Sequence, residues 1–307
     1  MIYQFTKLHT LLKIIFFLSA CVAFAKPLVF MTYNVENLFD AEYDGSEYRE
    51  FISPDPWSLH DYQQKKKRVV MLLKEVRPVP DFILLQEVEN DRVVRDLQQD
   101  LKWYRWRITS DNPRTATEVA LLSKYPIKDF RAHHVYSLHI PIRHILEVRI
   151  RVRNQDLFLL INHWKSKRGA AAYTETFRIR TAKLLRNLMN ELQQKGIVIA
   201  GGDFNEEPWE SSLHTYPAAL TDAEDGIIRT VPPQHVIQQD EVVSPWYTLR
   251  EEGSYYFRGS PQAIDGFLLS KSVFREWCIK DFFPWKESRA SDHFPVILIL
   301  DDICETQ

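Results

Sequence analysis

The chain is short of glycine and cysteine, and it has no excess of either charge. Nine glycines stand against sixteen prolines, so chain reversals rest on fixed turns rather than on flexible linkers. The three cysteines, Cys21, Cys278 and Cys304, show none of the Cys–Cys or Cys–His spacings of a structural zinc site. A formal net charge of −2 exerts no global pull on polyanions, so any nucleic-acid binding must come from local basic clusters. Repeats and low-complexity tracts are absent. With 45% hydrophobic and 26% charged residues, the composition is that of a globular chain and excludes disorder.

The first 25 residues read as an export signal. Lys7, His9 and Lys13 give a basic start, Ile14 to Phe24 form a short apolar run, and Ala23-Phe24-Ala25 places small residues before a cut at Lys26. The run is too short for a membrane span. Leu18-Ser19-Ala20-Cys21 has the form of a lipoprotein box, which makes a lipid anchor at Cys21 the alternative. Simple cleavage is favoured because apolar residues continue to Ala25 and leave no polar tether. Both readings place the protein outside the cytoplasm, as one domain over 26–307 and a monomer. Cys278 and Cys304 then remain, either as free thiols or as a disulfide contributing about 3–4 kcal/mol in the chain-entropy model.

Along the body, β-type runs alternate with helical ones. Strands are expected at Leu28–Tyr33, Phe82–Gln86, Val119–Ser123, Ile145–Arg153, Leu157–Asn162, Ile197–Gly201, Phe267–Ser270 and Phe294–Leu300. Ile145–Arg153 alternates apolar and charged residues and predicts one wet face. Phe82–Leu85 and Ile197–Ala200 are continuously apolar and predict burial on both faces. Helical spacing predicts helices over about 61–77, 90–101 and 174–194.

Polar residues fall at the tips of the apolar strands. Asn34 follows Phe30–Tyr33, Glu87 follows Phe82–Gln86, and Asn162-His163 follow Phe158–Ile161. Asp203 and Asn205 follow Ile197–Gly202, Asp265 precedes Gly266–Leu269, and Asp292-His293 precede Phe294-Pro295-Val296. Any one alone is an ordinary turn former or cap. Together, Glu87, Asp203, Asp265 and Asp292 on one rim would repel one another unless a cation balanced them. Oxygen ligands of this kind select a hard cation: Mg2+ or Mn2+, with Ca2+ also compatible.

The segments TYNVENLF (32–39), LLQEVEN (84–90), INHWKSKRG (161–169), GGDFNEEP (201–208), AID (263–265) and SDHFPV (291–296) resemble, in order, the endonuclease/exonuclease/phosphatase superfamily. That superfamily includes pancreatic-type DNases, abasic-site endonucleases, secreted bacterial nucleases, sphingomyelinases and inositol-polyphosphate phosphatases. The resemblance implies an α/β fold of DNase I-like type, a four-layer αββα sandwich of two mostly antiparallel sheets flanked by helices. It implies metal binding by Glu87, with Asn34 and Asp292 beside it. Asp203 and Asn205 match the pair that orients the attacking water and contacts phosphoryl oxygens. His293 matches the general acid/base, Asp265 the carboxylate that fixes its tautomer, and His163 the second histidine, with Glu118 as its candidate partner. Two departures stand out: Gly266 follows Ile-Asp, where relatives place His, Tyr or Gln, and Gly259-Ser260-Pro261 lacks the tryptophan often found there.

A phosphodiester in DNA or RNA is the substrate this pattern favours. Lys165, Lys167 and Arg168 lie just beyond His163 as phosphate contacts. Trp103-Tyr104-Arg105-Trp106-Arg107 interleaves aromatic and basic residues that could stack bases and hold phosphates, but an edge strand with one apolar face is the favoured reading. A sphingomyelinase should show a long exposed apolar hairpin, and an inositol phosphatase Asp-Leu-Asn in place of Asp203-Phe204-Asn205. A non-catalytic binding module should have lost some of the principal side chains.

Overall fold

The apolar runs become strands whose two faces are both covered. The computed structural model describes residues 26–54, 56–137, 140–210, 217–302 and 304; the expected signal over 1–25, with Cys21, lies outside them. In chain order the strands are β1 (Leu28–Leu38), β2 (Phe82–Val88), β3 (Trp106–Thr109), β4 (Glu118–Ser123), β5 (Ile127–His133), β6 (Ile145–Val152), β7 (Gln155–His163) and β8 (Ile197–Asp203). They continue as β9 (Leu220–Thr221), β10 (Ile228–Val231), β11 (Glu241–Val243), β12 (Tyr255–Phe257), β13 (Ser260–Gln262), β14 (Asp265–Leu269), β15 (Cys278–Pro284) and β16 (Val296–Asp301). The helices are α1 (Leu59–Glu75), α2 (Asp91–Asp100) and α3 (Ala171–Leu192).

Two sheets stack face to face. One has the order β15-β16-β1-β2-β4-β3, the other β5-β6-β7-β8-β14-β11-β10-β9, and β12-β13 form a separate hairpin. Both sheets are mixed. Antiparallel pairs predominate, while β1–β2, β7–β8 and β9–β10–β11 run parallel.

Side-chain alternation assigns each strand to two cores at once. Leu28, Phe30, Phe82, Leu84, Leu157, Leu159, Ile197 and Ile199 meet between the sheets. Val29, Met31, Ile83 and Leu85 point the other way, against Val69, Leu72 and Leu73 of α1 and Val93 and Leu97 of α2. On the far side, Phe158, Leu160, Val198 and Ala200 meet Ile179, Leu185 and Met189 of α3. The result is the expected four-layer sandwich. In β6, Leu146, Val148 and Ile150 enter the inter-sheet core, while Arg151 stays in solvent.

The helix ends follow local chemistry. Ser58 and Asp61 form a capping box at the start of α1, and the chain leaves it just before Arg77-Pro78, where a residue preceding proline disfavours helix. Asn90 caps α2 by accepting from Val93 N at 3.1 Å. Cys278 and Cys304 pair as a disulfide, which closes the C-terminal strand hairpin. Among the described residues, no helix is long and apolar enough to cross a membrane.

Candidate active site

Topology, more than any single strand, gathers the polar tips. β1 and β2 are parallel, as are β7 and β8, so each pair ends on one rim. β16 runs antiparallel to β1 and β14 antiparallel to β8, so their beginnings reach that same rim. In the β8–β14 register Asp203 faces Asp265, and in the β7–β8 register His163 faces Asp203. Gly202 permits this approach: it adopts φ +149°, and a Cβ there would stand 1.9 Å from Asn162 O.

The rim lines a cleft of about 660 Å³ that includes Glu87, His163, Asp203, Asn205, Asp292 and His293. Asn34 Nδ2 donates to Glu87 Oε1 and Asp203 Oδ2, each at 3.1 Å, joining the two sheets. Its own Oδ1 accepts from Glu36 N, so Asn34 presents its amino group to the carboxylates. Glu87 Oε2 accepts from Asn37 N at 2.9 Å. Glu87 (φ 62°) and Asn205 (φ 51°) both sit in the left-handed region, a strain that persists only where surrounding contacts impose it. Asn205 N donates to Asp203 Oδ1 at 2.8 Å, and its Nδ2 donates to Trp164 O. His163 Nε2 lies 3.6 Å from both Glu87 Oε1 and Asp203 Oδ2.

His293 Nδ1 is 2.7 Å from Asp265 Oδ2. Burial alone would lower this imidazole, but the charge and hydrogen bond of Asp265, with Asp203 and Asp292, raise it to about 10. Burial and then the neighbouring Asp265 push Asp203 up to about 7. His163 is held well below its ordinary value by burial, then by Arg143, His293 and Lys165. Burial raises Asp292.

These features fit a hard cation. Glu87, Asp203 and Asp292 line one cleft, ligand atoms of Asp203, Asp265 and His293 lie within 4.8 Å of one another, and among the described residues Asp265 Oδ1 is buried with no hydrogen-bond partner. A cluster of buried acids, one of them raised by its neighbour, is the arrangement a divalent ion relieves.

Asn34, Glu87, His163, Asp203, Asn205, Asp265, Asp292 and His293 therefore converge as expected. Glu118 does not pair with His163, which corrects that expectation. Its carboxylate is turned toward the loop before β4 and accepts from Ser110 Oγ, Asp111 N and Asn112 N. Among the described residues His163 Nδ1 has no hydrogen-bond partner. Two backbone N–H groups and one hydroxyl hold the Glu118 carboxylate, so it organises that loop.

The structure adds residues that no motif announced. Ser254 Oγ donates to Asp265 Oδ2 at 2.7 Å and accepts from Asp265 N. The Tyr255 ring lies on His293 at 4.8 Å between centroids. Tyr48, Arg143 and Phe257 also line the cleft. Tyr48 arrives there because the segment between β1 and α1 folds back through the aromatic contacts Phe39–Tyr48, Phe39–Phe51 and Phe51–Trp57.

The departure at Gly266 has a physical answer. A Cβ at Gly266 would stand 2.6 Å from Trp246 Nε1, and that indole donates to Asp265 O at 2.7 Å. A tryptophan from another part of the chain thus supports the Asp265 backbone. The 103–107 stretch leads into the edge strand β3, which among the described residues pairs with β4 alone, and Arg107 pairs with Asp91.

The sequence model of the Endonuclease/Exonuclease/phosphatase family matches residues 29–280, and the chain belongs to that family. Its members are typically metal-dependent hydrolases. No curated protein matches the chain by sequence. Among solved structures, humanized D. rerio TDP2 carrying 14 mutations superposes with a TM-score of 0.63 at 14% identity, over 90% of this chain and 100% of that one. D. rerio TDP2 complexed with a single-strand DNA product gives 0.59 at 15%, over 90% and 100%. The human Nocturnin catalytic domain with bound sulfate gives 0.58 at 16%, over 90% and 94%. At these identities the likeness establishes the fold.

Proposed function

We propose that the protein is an exported, metal-dependent phosphodiesterase that hydrolyses DNA or RNA. One observation carries this reading: the His293–Asp265 pair faces Asp203, Asn205 and Glu87 across a single cleft that joins both sheets. Glu87 and Asp292, with Asn34 beside them, would hold the cation, Mg2+ or Mn2+, which when bound neutralises charge on the phosphoryl oxygens.

The chain's own groups divide the remaining work. Asp203, fixed by Asn205 N and Asn34 Nδ2, orients the attacking water and receives its proton. Asn205 and His163 contact the phosphoryl oxygens as charge develops. His293, kept protonated by Asp265, gives its proton to the leaving oxygen. Nucleic acid as the substrate is supported by Lys165, Lys167 and Arg168 along the cleft and by the DNA product carried by a protein of the same fold. Export is supported by the pattern of residues 1–25.

The test is incubation of the purified protein with supercoiled plasmid, linear DNA and RNA in Mg2+, Mn2+ or EDTA, beside Asp203→Ala. Metal-dependent cleavage that is lost in the variant supports the reading. A folded protein that cleaves none of them under any metal sinks it.

A further inference from the structure

Among the described residues, three cations on the wall of the cleft have no acid to balance them: Arg168, which is exposed, and Arg143 and Lys165, which are half-buried. Most basic side chains near the site are spoken for: Lys65 pairs with Glu36 at 2.9 Å, Lys167 with Glu210 at 2.7 Å and Arg178 with Glu206 at 2.6 Å. Arg143 and Lys165 line the same cleft, and among the described residues neither forms an ion pair.

Arg143 is half-buried and held in one orientation. Its Nε and Nη2 donate to Thr117 Oγ1 at 3.3 and 3.2 Å, and Nη2 also donates to Tyr48 Oη at 2.8 Å. Among the described residues Nη1 has no hydrogen-bond partner. A guanidinium fixed along one edge, with a free donor facing a cleft, is preorganised for an oxyanion. Lys165 is half-buried as well, and its backbone is fixed because Arg178 Nη1 donates to its carbonyl at 3.1 Å. Burial and then Arg143 hold the Lys165 ammonium below its ordinary value, a cost that an anion between the two cations would reverse. Both cations share the cleft with His163 and act electrostatically on it.

The groups that meet the scissile phosphate rise from the ends of β2, β7 and β8, and Lys165 follows His163 directly beyond β7. Arg143 approaches from elsewhere, anchored by Thr117, next to the start of β4, and by Tyr48 of the segment following β1. We infer that Arg143 and Lys165 form a second phosphate subsite, so that the substrate carries a phosphoryl group adjacent to the one that is cleaved. Tyr48 acts here as a positioning residue. This rests on the reading of the cleft as a phosphodiesterase site, and it narrows the substrate class to compounds with neighbouring phosphates, such as an oligonucleotide, and away from an isolated phosphodiester.

The experiment is calorimetric titration of the full chain in Mg2+ with thymidine 3′,5′-bisphosphate and with thymidine 5′-monophosphate. The wild type should bind the bisphosphate at least about ten-fold more tightly, the ordinary gain from one charge-assisted contact. Arg143→Ala should bring that ratio close to one. Arg143→Lys should keep part of it, and Tyr48→Phe, which removes only the orienting hydroxyl, should reduce it. Thermal melts establish that each variant is folded. Equal affinities in the wild type, no bisphosphate binding, or a ratio unchanged in folded Arg143→Ala would each overturn the subsite. Failure of the two readings is distinguishable: DNA cleavage without bisphosphate preference rejects the subsite alone, and the preference without cleavage of any nucleic acid rejects the proposed activity alone.

Discussion

His293 Nδ1 lies 2.7 Å from Asp265 Oδ2, and the same oxygen accepts a hydrogen bond from Ser254 Oγ at 2.7 Å. The imidazole therefore has a fixed tautomer and ring orientation, with Nε2 turned to the cleft. Asp265 is fully buried and Trp246 holds its carbonyl, so the pair is rigid before substrate arrives.

Asp265→Asn should lower kcat by about 10²–10⁴, the usual worth of a positioned acid/base group. Ser254→Ala should lower it by only about ten-fold, since Asp265 stays in place. NMR titration of the metal-free protein supplies a second readout. The His293 midpoint, about 10 in the wild type, should fall markedly in Asp265→Asn because the charge that holds the proton is gone. An unmoved midpoint would contradict the assignment.

Glu87→Gln tests the cation. The isosteric amide can still accept from Asn37 N but removes one negative charge from the group containing Asp203 and Asp265. Added Mg2+ should stabilise the wild type by about 2.7 kcal/mol at a hundred times its dissociation constant, read as a raised Tm. Glu87→Gln should lose most of that response. A full metal response in the variant would remove Glu87 from the ligand set.

Glu89 makes the fold sensitive to alkali. It is buried, Oε1 has no partner among the described residues, and burial, with Asp40, Glu47 and Asp44 nearby, pushes it up to about 8. The folded state thus holds a proton that the unfolded chain releases near pH 4.5. This contribution is complete below that pH and is lost as the pH rises through about 8. Urea midpoints in EDTA should decline across that window, and Glu89→Gln should flatten the decline. Parallel pH curves for the two proteins would refute it.

Gly266→Ala should destabilise the fold by about 1–3 kcal/mol, the common cost of overpacking. The new methyl group meets Trp246 Nε1 and forces apart the bond to Asp265 O. Turnover should fall along with stability, since Asp265 carries His293. Denaturant melts and kcat measured on one preparation check both effects, and a silent substitution would show that Trp246 is dispensable.

Much of this protein could be read directly from its residues. The strands around Phe30, Leu84, Leu159 and Ile199 are legible because burial on both faces demands unbroken apolar runs. Helical spacing placed the helices over about 61–77 and 90–101 to within a few residues, and the caps at Ser58 and Asn90 fix where they start because orphan N–H groups need a side-chain acceptor there. The eight converging polar residues were legible because each interrupts such a run at its tip. Glu118 was misplaced because a tip position does not reveal which neighbour its carboxylate will meet; three N–H and O–H donors on the adjacent loop claimed it. Arg143, Tyr48, Ser254 and Trp246 left no local signal, being single residues in loops or short turns with no periodicity. Local chemistry in the chain determined the layers, the caps and the composition of the catalytic rim. Tertiary structure alone decided which cations were left without acids and which serine and tryptophan would hold Asp265, because those contacts join segments far apart in sequence.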